Sequence, residues 1–167
     1  MRVKVRRGGT VEVTLEAGEA EFVRSIPAQM QALYDAPPDD PARARLFPRA
    51  YLDPTEDRAE QEWEALAHPG MVRDRLDLHS RMVAGLDAGT PGRRGLVVSL
   101  DDEDLNAWVM VLNEMRLVIG SRLEVTEDTV WAADDLAGPD GPAIAAYEWL
   151  GIVQTELVEA LLGSLPD

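Results

Sequence analysis

Val3 and Val5 on one side of Gly8-Gly9, and Val11, Val13 and Leu15 on the other, alternate with charged or polar residues. A period of two flanking a glycine pair predicts two strands joined by a tight turn, a β-hairpin over residues 1–15. The period then changes. Phe22, Val23, Ile26, Met30 and Leu33 recur at helical spacing between Glu16 and Asp35, and Pro27, which lacks an N–H, is expected to kink or split that helix. Residues 36–54 hold Pro37, Pro38, Pro41, Pro48 and Pro54, which predicts an irregular connection with at most a helical turn around Arg43 to Phe47, anchored by Leu46, Phe47, Tyr51 and Leu52.

Asp53-Pro54-Thr55-Glu56 combines an N-cap residue, proline at the first helical position and an acid in the first turn, so a helix is expected to follow to about Ala67. His68-Pro69-Gly70 predicts a break, with Met71, Val72, Leu76, Val83 and Leu86 resuming the stripe until Gly89-Thr90-Pro91-Gly92. Leu96 to Leu100 is a short β-prone run that extends the hairpin as a third strand. Asp101 to Asp104 then loads a helix start with negative charge, where the dipole favours it. Leu105, Trp108, Leu112, Met115 and Ile119 form one apolar face. Residues 124–140 carry six acidic residues and no basic one, with Trp131 and Leu136 as expected anchors. A last helix starts at Gly141-Pro142, buries Tyr147, Leu150, Val153, Leu157 and Leu161, and stops at Gly163. The expected fold is mainly α: an irregular antiparallel helical bundle of about five helices with a small N-terminal β-hairpin. The 167 residues read as a single domain, with 1–15 the hairpin and 16–167 the helical body.

Charge and composition narrow the function. Sixteen basic against 31 acidic residues leave a net charge of −15, which repels phosphate backbones at long range. Residues 1–15 break the trend. Arg2, Lys4, Arg6 and Arg7 face Glu12 alone, a local basic patch and the candidate DNA contact. The chain has no cysteine, which removes disulfides, thiolate metal sites and thiol chemistry. Its start lacks the apolar core of a signal peptide, and no apolar run approaches the roughly 18 residues of a spanning helix, so a cytoplasmic protein that meets no membrane is expected. His68 and His79 sit in no metal-ligand spacing, and no nucleophile, phosphate-loop or dinucleotide motif occurs. No catalytic, metal or cofactor-binding residue is expected, and the chain is read as a binding protein.

One polar constellation stands out. Asn106, Asn113, Arg116 and Gly120 fall within about 80° of one helix face, beside the apolar stripe that holds Trp108. With Gln154 or Tyr147 of the last helix they form either a hydrogen-bonded network that fixes helix packing or a partner groove.

These same residues carry a family resemblance. Leu100-Asp101-x-x-Asp104-x-Asn106-Ala107-Trp108, continued by Leu112-Asn113-x-x-Arg116-Leu117-x-x-Gly120-x-x-Leu123-Glu124, and Tyr147-x-Trp149-Leu150-x-x-x-Gln154-x-x-Leu157-Val158 resemble the actinobacterial AosR-like family of oxidative-stress regulators, catalogued as a domain of unknown function. Glu19-Ala20 with Met30 and Leu33, and Arg45-Leu46-Phe47-Pro48-x-x-Tyr51, extend the pattern over nearly the whole chain. The resemblance implies an actinobacterial cytosolic protein, encoded near the Clp protease adaptor ClpS, with a regulatory and transcriptional role. The leading reading is therefore a regulator that works through protein contacts with the transcription machinery, or through promoter DNA with the basic hairpin as its contact. The alternatives are an adaptor or assembly subunit in Clp proteolysis and a homodimeric scaffold that pairs two last helices through Trp149. Without cysteine, direct thiol sensing does not carry over.

Overall fold

The computed structural model describes residues 1–6 and 10–164. The chain runs through β1 (Arg2–Val5), β2 (Val11–Leu15), α1 (Ala17–Tyr34), α2 (Pro41–Leu46), a 3-10 turn (Pro54–Glu56), α3 (Asp57–Ala88), β3 (Thr90–Gly92), β4 (Gly95–Leu100), α4 (Asp102–Arg122), α5 (Ala133–Ala137) and α6 (Gly141–Ser164). The fold is therefore a mainly helical bundle, with six α-helices among the described residues and a small antiparallel sheet.

The expected hairpin is the start of a larger sheet. β1 pairs antiparallel with β2, β2 with β4 and β4 with β3, so the strand order is β1-β2-β4-β3. The tight turn expected at Gly8-Gly9 lies outside the described residues. Registers of Val13 with Val98 and of Val11 with Leu100 put the apolar residues of two strands on one face. Val11, Val13, Leu15, Val98 and Leu100 are all buried. The same period of two turns Arg2, Lys4, Glu12, Thr14, Val97 and Ser99 to the other face.

β3 is the departure from expectation. Thr90-Pro91-Gly92 reads as a helix stop, yet these residues form an edge strand, where proline's missing N–H costs the ladder nothing if it faces outward. The return to β4 passes through Arg93-Arg94 and depends on Gly95. Its φ is +139°, and a Cβ there would lie 1.9 Å from the Leu15 carbonyl oxygen, so only glycine fits.

The split allowed for at Pro27 and the break expected at Pro69 do not occur. α1 runs through Pro27 without splitting, its start satisfied by Glu19, whose carboxylate accepts the Glu16 N–H at 2.8 Å. α3 is one continuous helix of 32 residues through His68-Pro69-Gly70. Proline at position 69 deprives the Ala65 carbonyl of its donor, but Ala65, Leu66 and Pro69 are exposed, so water can supply the bond that the helix lacks.

α4 is the centre of the bundle and packs against α6, α2 and α3. Its expected start is present as a reciprocal cap: Asp101 accepts the Asp104 N–H at 2.8 Å and Asp104 accepts the Asp101 N–H at 3.4 Å. Leu105, Trp108, Leu112, Met115 and Ile119 are buried as the stripe requires. In α6, Ile144, Leu150, Val153, Leu157 and Ala160 are buried, Tyr147 and Leu161 half-buried, and the helix passes Gly163 to reach Ser164. Several expected anchors are not anchors. Leu52 is 84% exposed and Leu136 51% exposed, and Tyr51 is exposed too. The proline-rich and acidic connections are held by the other expected anchors, Leu46, Phe47 and a half-buried Trp131, whose Nε1–H donates to Glu148 at 3.2 Å.

Candidate functional site

Three groups of side chains could act on something outside the core, and they differ in how much of their chemistry is already used within the chain. The first is a cleft of about 460 Å³ over the outer face of the sheet, lined by Arg2, Lys4 and Arg6 of the N-terminal segment and by Arg93 and Arg94 of the β3–β4 turn. All five are exposed. Arg6 pairs with Glu12. Arg2, Lys4, Arg93 and Arg94 make no ion pair among the described residues. Arg7, also expected as part of a DNA contact, lies outside the described residues.

The contrast with the rest of the chain is informative. Arg24, Arg43, Arg49, Arg58, Arg75, Arg81 and Arg122 are each paired with an acid. Arg81 alone holds Asp101, Glu103 and Asp104 at the start of α4. These acids raise the Arg81 pKa, led by the hydrogen bond to Asp104, and Asp101 is held below the usual carboxylate range, first by the Asp104 backbone N–H. The body's cations are thus largely spent on its own acids; among the described basic residues without an ion pair, Arg45, Arg73 and Arg116 lie elsewhere, while Arg2, Lys4, Arg93 and Arg94 share the sheet cleft. The Arg93-Arg94 contribution escapes sequence reading because it sits inside a run of helix-breaking residues. The available signal is the arrangement Gly92-Arg93-Arg94-Gly95 before a β-prone run, which is hairpin spacing.

The second group is the α4–α6 seam. Gln154 donates to Asn113 Oδ1 at 3.1 Å, and the Arg116 guanidinium lies 4.6 Å from the Tyr147 ring centroid and donates to the Tyr147 hydroxyl at 3.2 Å. Gly120 faces that ring, since a Cβ there would stand 3.0 Å from Tyr147 Cε2. Three of the four expected α4 positions therefore meet counterparts on α6. Asn106 does not: it is exposed, about two turns nearer the N-terminus of α4 and outside these contacts. Trp108 is fully buried against the Gly85 position and belongs to the core. Trp149 is used within the chain, stacked edge-on against Phe22 at 5.7 Å and donating to Glu19 at 3.0 Å, where Glu19 also holds the Met1 amine. Beside the seam a shallow cleft of about 440 Å³ is lined by Arg45, Arg116, Ser121 and Tyr147.

The third group was not anticipated. Glu114 lies buried on α4, 2.6 Å from Arg75 Nε, and accepts the Tyr34 hydroxyl proton at 2.7 Å; His79 Nε2 stands 3.1 Å from the same hydroxyl. Burial pushes the Glu114 carboxyl up, but His79, Tyr34 and Arg75 together outweigh it and hold its pKa below the ordinary value. Burial, then Glu114, drives the Tyr34 hydroxyl strongly upward, so it stays a donor. Next to this knot Arg43 pairs with Glu64 at 2.6 Å, and Phe47 packs edge-on against both Tyr34 and His68. Each acid named here has a basic or hydroxyl partner and Glu114 is buried, so the cluster fixes α1, α3 and α4 together. His68 is thereby a packing residue of α3 and not part of a break. Among the described residues no group of three or more His, Asp or Glu is placed to hold a metal ion, and no helix is long and apolar enough to cross a membrane.

Residues 1–161 match the family described as a domain of unknown function, DUF2017. The chain belongs to that family. Two mycobacterial proteins named oxidative stress regulator AosR, from Mycobacterium tuberculosis and Mycobacterium bovis, are each 26% identical to it over 98% of this chain and 87% of their own length. No solved structure gives a significant match. The resemblance carried by the α4 and α6 patterns is thus borne out at the level of the family.

Proposed function

We propose that this member of the DUF2017 family is a non-enzymatic regulatory protein that acts by binding a component of the transcription machinery, with the basic outer face of the sheet as its contact surface. The observation that carries the reading is the distribution of cations. In a chain of net charge −15, four exposed basic side chains without an ion pair among the described residues share one cleft. The relatives' name, oxidative stress regulator, supports the regulatory half of the reading. A reactive centre would need a perturbed nucleophile or acid in an accessible pocket; Glu114 and Tyr34 are sealed in the core, and shifted surface groups such as Asp101 and Arg81 owe their shifts to the cap of α4 and to ion pairs.

A helix reading DNA is a poor alternative: α4, the helix with the best-defined start, opens with Asp102, Glu103 and Asp104 and carries only Arg116 and Arg122. Promoter DNA held by Arg2, Lys4 and Arg6 is the second reading, favoured by their sharing one cleft. Two measurements separate these. Tagged protein purified from its native host should bring down RNA polymerase or a factor bound to it; recovery of Clp components in their place, or of no partner, would end the leading proposal. Mobility shift on the DNA upstream of the chain's own gene should show no specific complex. A complex that weakens with salt and vanishes when Arg2, Lys4 and Arg6 become alanine would establish the second reading.

A further inference from the structure

We infer that the sheet cleft is a receptor for a short acidic peptide segment of the partner protein, held by a fork of four cations contributed from two separate stretches of sequence. The inference rests on the functional reading above and specifies the chemistry of its contact.

Arg2 and Lys4 come from the edge strand β1, and Arg93 and Arg94 from the turn at the other side of the sheet. They are brought together only because β4 inserts beside β2 and carries the β3–β4 turn with it. Between them the floor is short and level: Thr14 and Val97 are cross-strand neighbours, and Glu12 is already neutralised by Arg6. A guanidinium presents two parallel N–H groups that match a carboxylate, and three of the four unpaired cations are arginines. They make no ion pair among the described residues, Glu16, the other acid of the cleft besides Glu12, included, so they are available for carboxylates from outside.

Phosphate would satisfy the same forks, so size and surroundings decide. β1 spans four residues, about 13 Å, and four strands span about 14 Å, which matches an extended peptide of about four residues. Duplex nucleic acid carries one charge per ~1.7 Å, and its continuation past such a patch would lie over the acidic body. A single strand is held by aromatic platforms on which bases stack. The cleft has none: its apolar lining is Met1 and Val97. A peptide with two to four clustered carboxylates ends where the basic surface ends, and so avoids the repulsion that a longer polyanion meets.

The test uses fluorescence anisotropy on the full chain with three labelled probes: an acidic oligoglutamate peptide, a single-stranded oligonucleotide of equal charge, and a duplex. Arg93→Ala/Arg94→Ala is compared with wild type and with Arg73→Ala, an exposed arginine outside the cleft. The peptide should bind the wild type and the Arg73 variant equally, and about tenfold more weakly the double variant, the loss expected for two exposed charge contacts. Circular dichroism of the double variant should match wild type, because neither arginine contributes to the core. Tighter binding of either nucleic acid than of the peptide would overturn the inference in favour of a nucleic-acid surface. Peptide binding unaffected by the double substitution, or absent altogether, would overturn it too. All these outcomes are independent of which cellular partner is recovered by purification, so the failure of one reading is distinguishable from the failure of the other.

Discussion

Replacing Glu114 by alanine should cost more than any exposed substitution in this chain, and the structure indicates how much. The carboxylate is buried on α4, with Arg75 at 2.6 Å, the Tyr34 hydroxyl at 2.7 Å and His79 at 3.8 Å. Removing it leaves a partly buried guanidinium without its counter-ion and a buried hydroxyl without its acceptor, a loss of about 3–5 kcal/mol. With a urea slope of about 2 kcal/mol/M, the unfolding midpoint should fall by roughly 2 M. Tyr34→Phe deletes only the hydroxyl's bond to a charged acceptor and should cost about half as much, and the two losses should not add, because they share one contact. The pH dependence supplies a second check. The folded-state pKa of Glu114 lies below its ordinary value of 4.5, so its contribution is complete above that pH and disappears as the pH falls through the folded value. The gap between wild type and Glu114→Gln should therefore be constant near neutrality and narrow only below pH 4.5. Urea melts followed by circular dichroism at several pH values measure both. A midpoint for Glu114→Ala within a few tenths molar of wild type would refute the reasoning, as would a gap that widens on acidification.

Two further substitutions probe the elements that position the cleft and the central helix. Gly95→Ala places a Cβ against the Leu15 carbonyl at a φ that alanine avoids, so a loss of about 3 kcal/mol or more is expected, while Gly18→Ala in α1, with open space around it, should be neutral or slightly stabilising; thermal melts of the two variants give the comparison. Asp101→Ala removes the cap of α4 and should lower the melting temperature by about 3 °C, the equivalent of a typical cap of about 1 kcal/mol in a chain of this size.

What sequence reading captured, and what it missed, divides along a physical line. Local periodicity exposed the strands of the hairpin, the stripe of α4 and its capped start, because each is set by residues within one or two turns of one another. Pro69 was misjudged because a proline's cost depends on where the freed carbonyl faces, and that is a tertiary fact: Ala65 is exposed. β3 was missed for a related reason, since proline and glycine mark a breaker in isolation but are tolerated on a sheet edge. The Tyr34–His79–Arg75–Glu114 knot joins residues up to 80 positions apart and has no spacing to read. Its one trace is Glu114 itself, an acid lying between Val111, Leu112 and Met115 on the buried side of an otherwise apolar helix face. The candidate seam was legible in part. Asn113, Arg116 and Gly120 sit far enough along α4 to meet α6, whereas Asn106 shares their angle around the helix but not the height at which α6 supplies polar partners.

The same division between paired and unpaired charge makes a prediction about salt that separates binding from folding. Exposed pairs such as Arg24–Asp87, Arg49–Asp57 and Arg58–Glu62 contribute little to stability, so screening them removes little. The Arg75–Glu114 pair is buried and is screened only weakly. Against these small losses stands the self-repulsion of a chain with net charge −15, which salt relieves. Raising ionic strength from about 0.05 M to about 0.5 M, where the Debye length falls to a few ångströms, should therefore leave the melting temperature unchanged or slightly higher. The cleft responds in the opposite direction. Arg2, Lys4, Arg93 and Arg94 are exposed, and their attraction for an acidic segment is screened directly, so binding of the oligoglutamate probe should weaken several-fold over the same range. Salt that lowered the melting temperature together with the affinity would mean that loss of binding reports loss of the fold. Opposite signs in the two measurements locate the salt-sensitive charge on the sheet and the stabilising charge in the core.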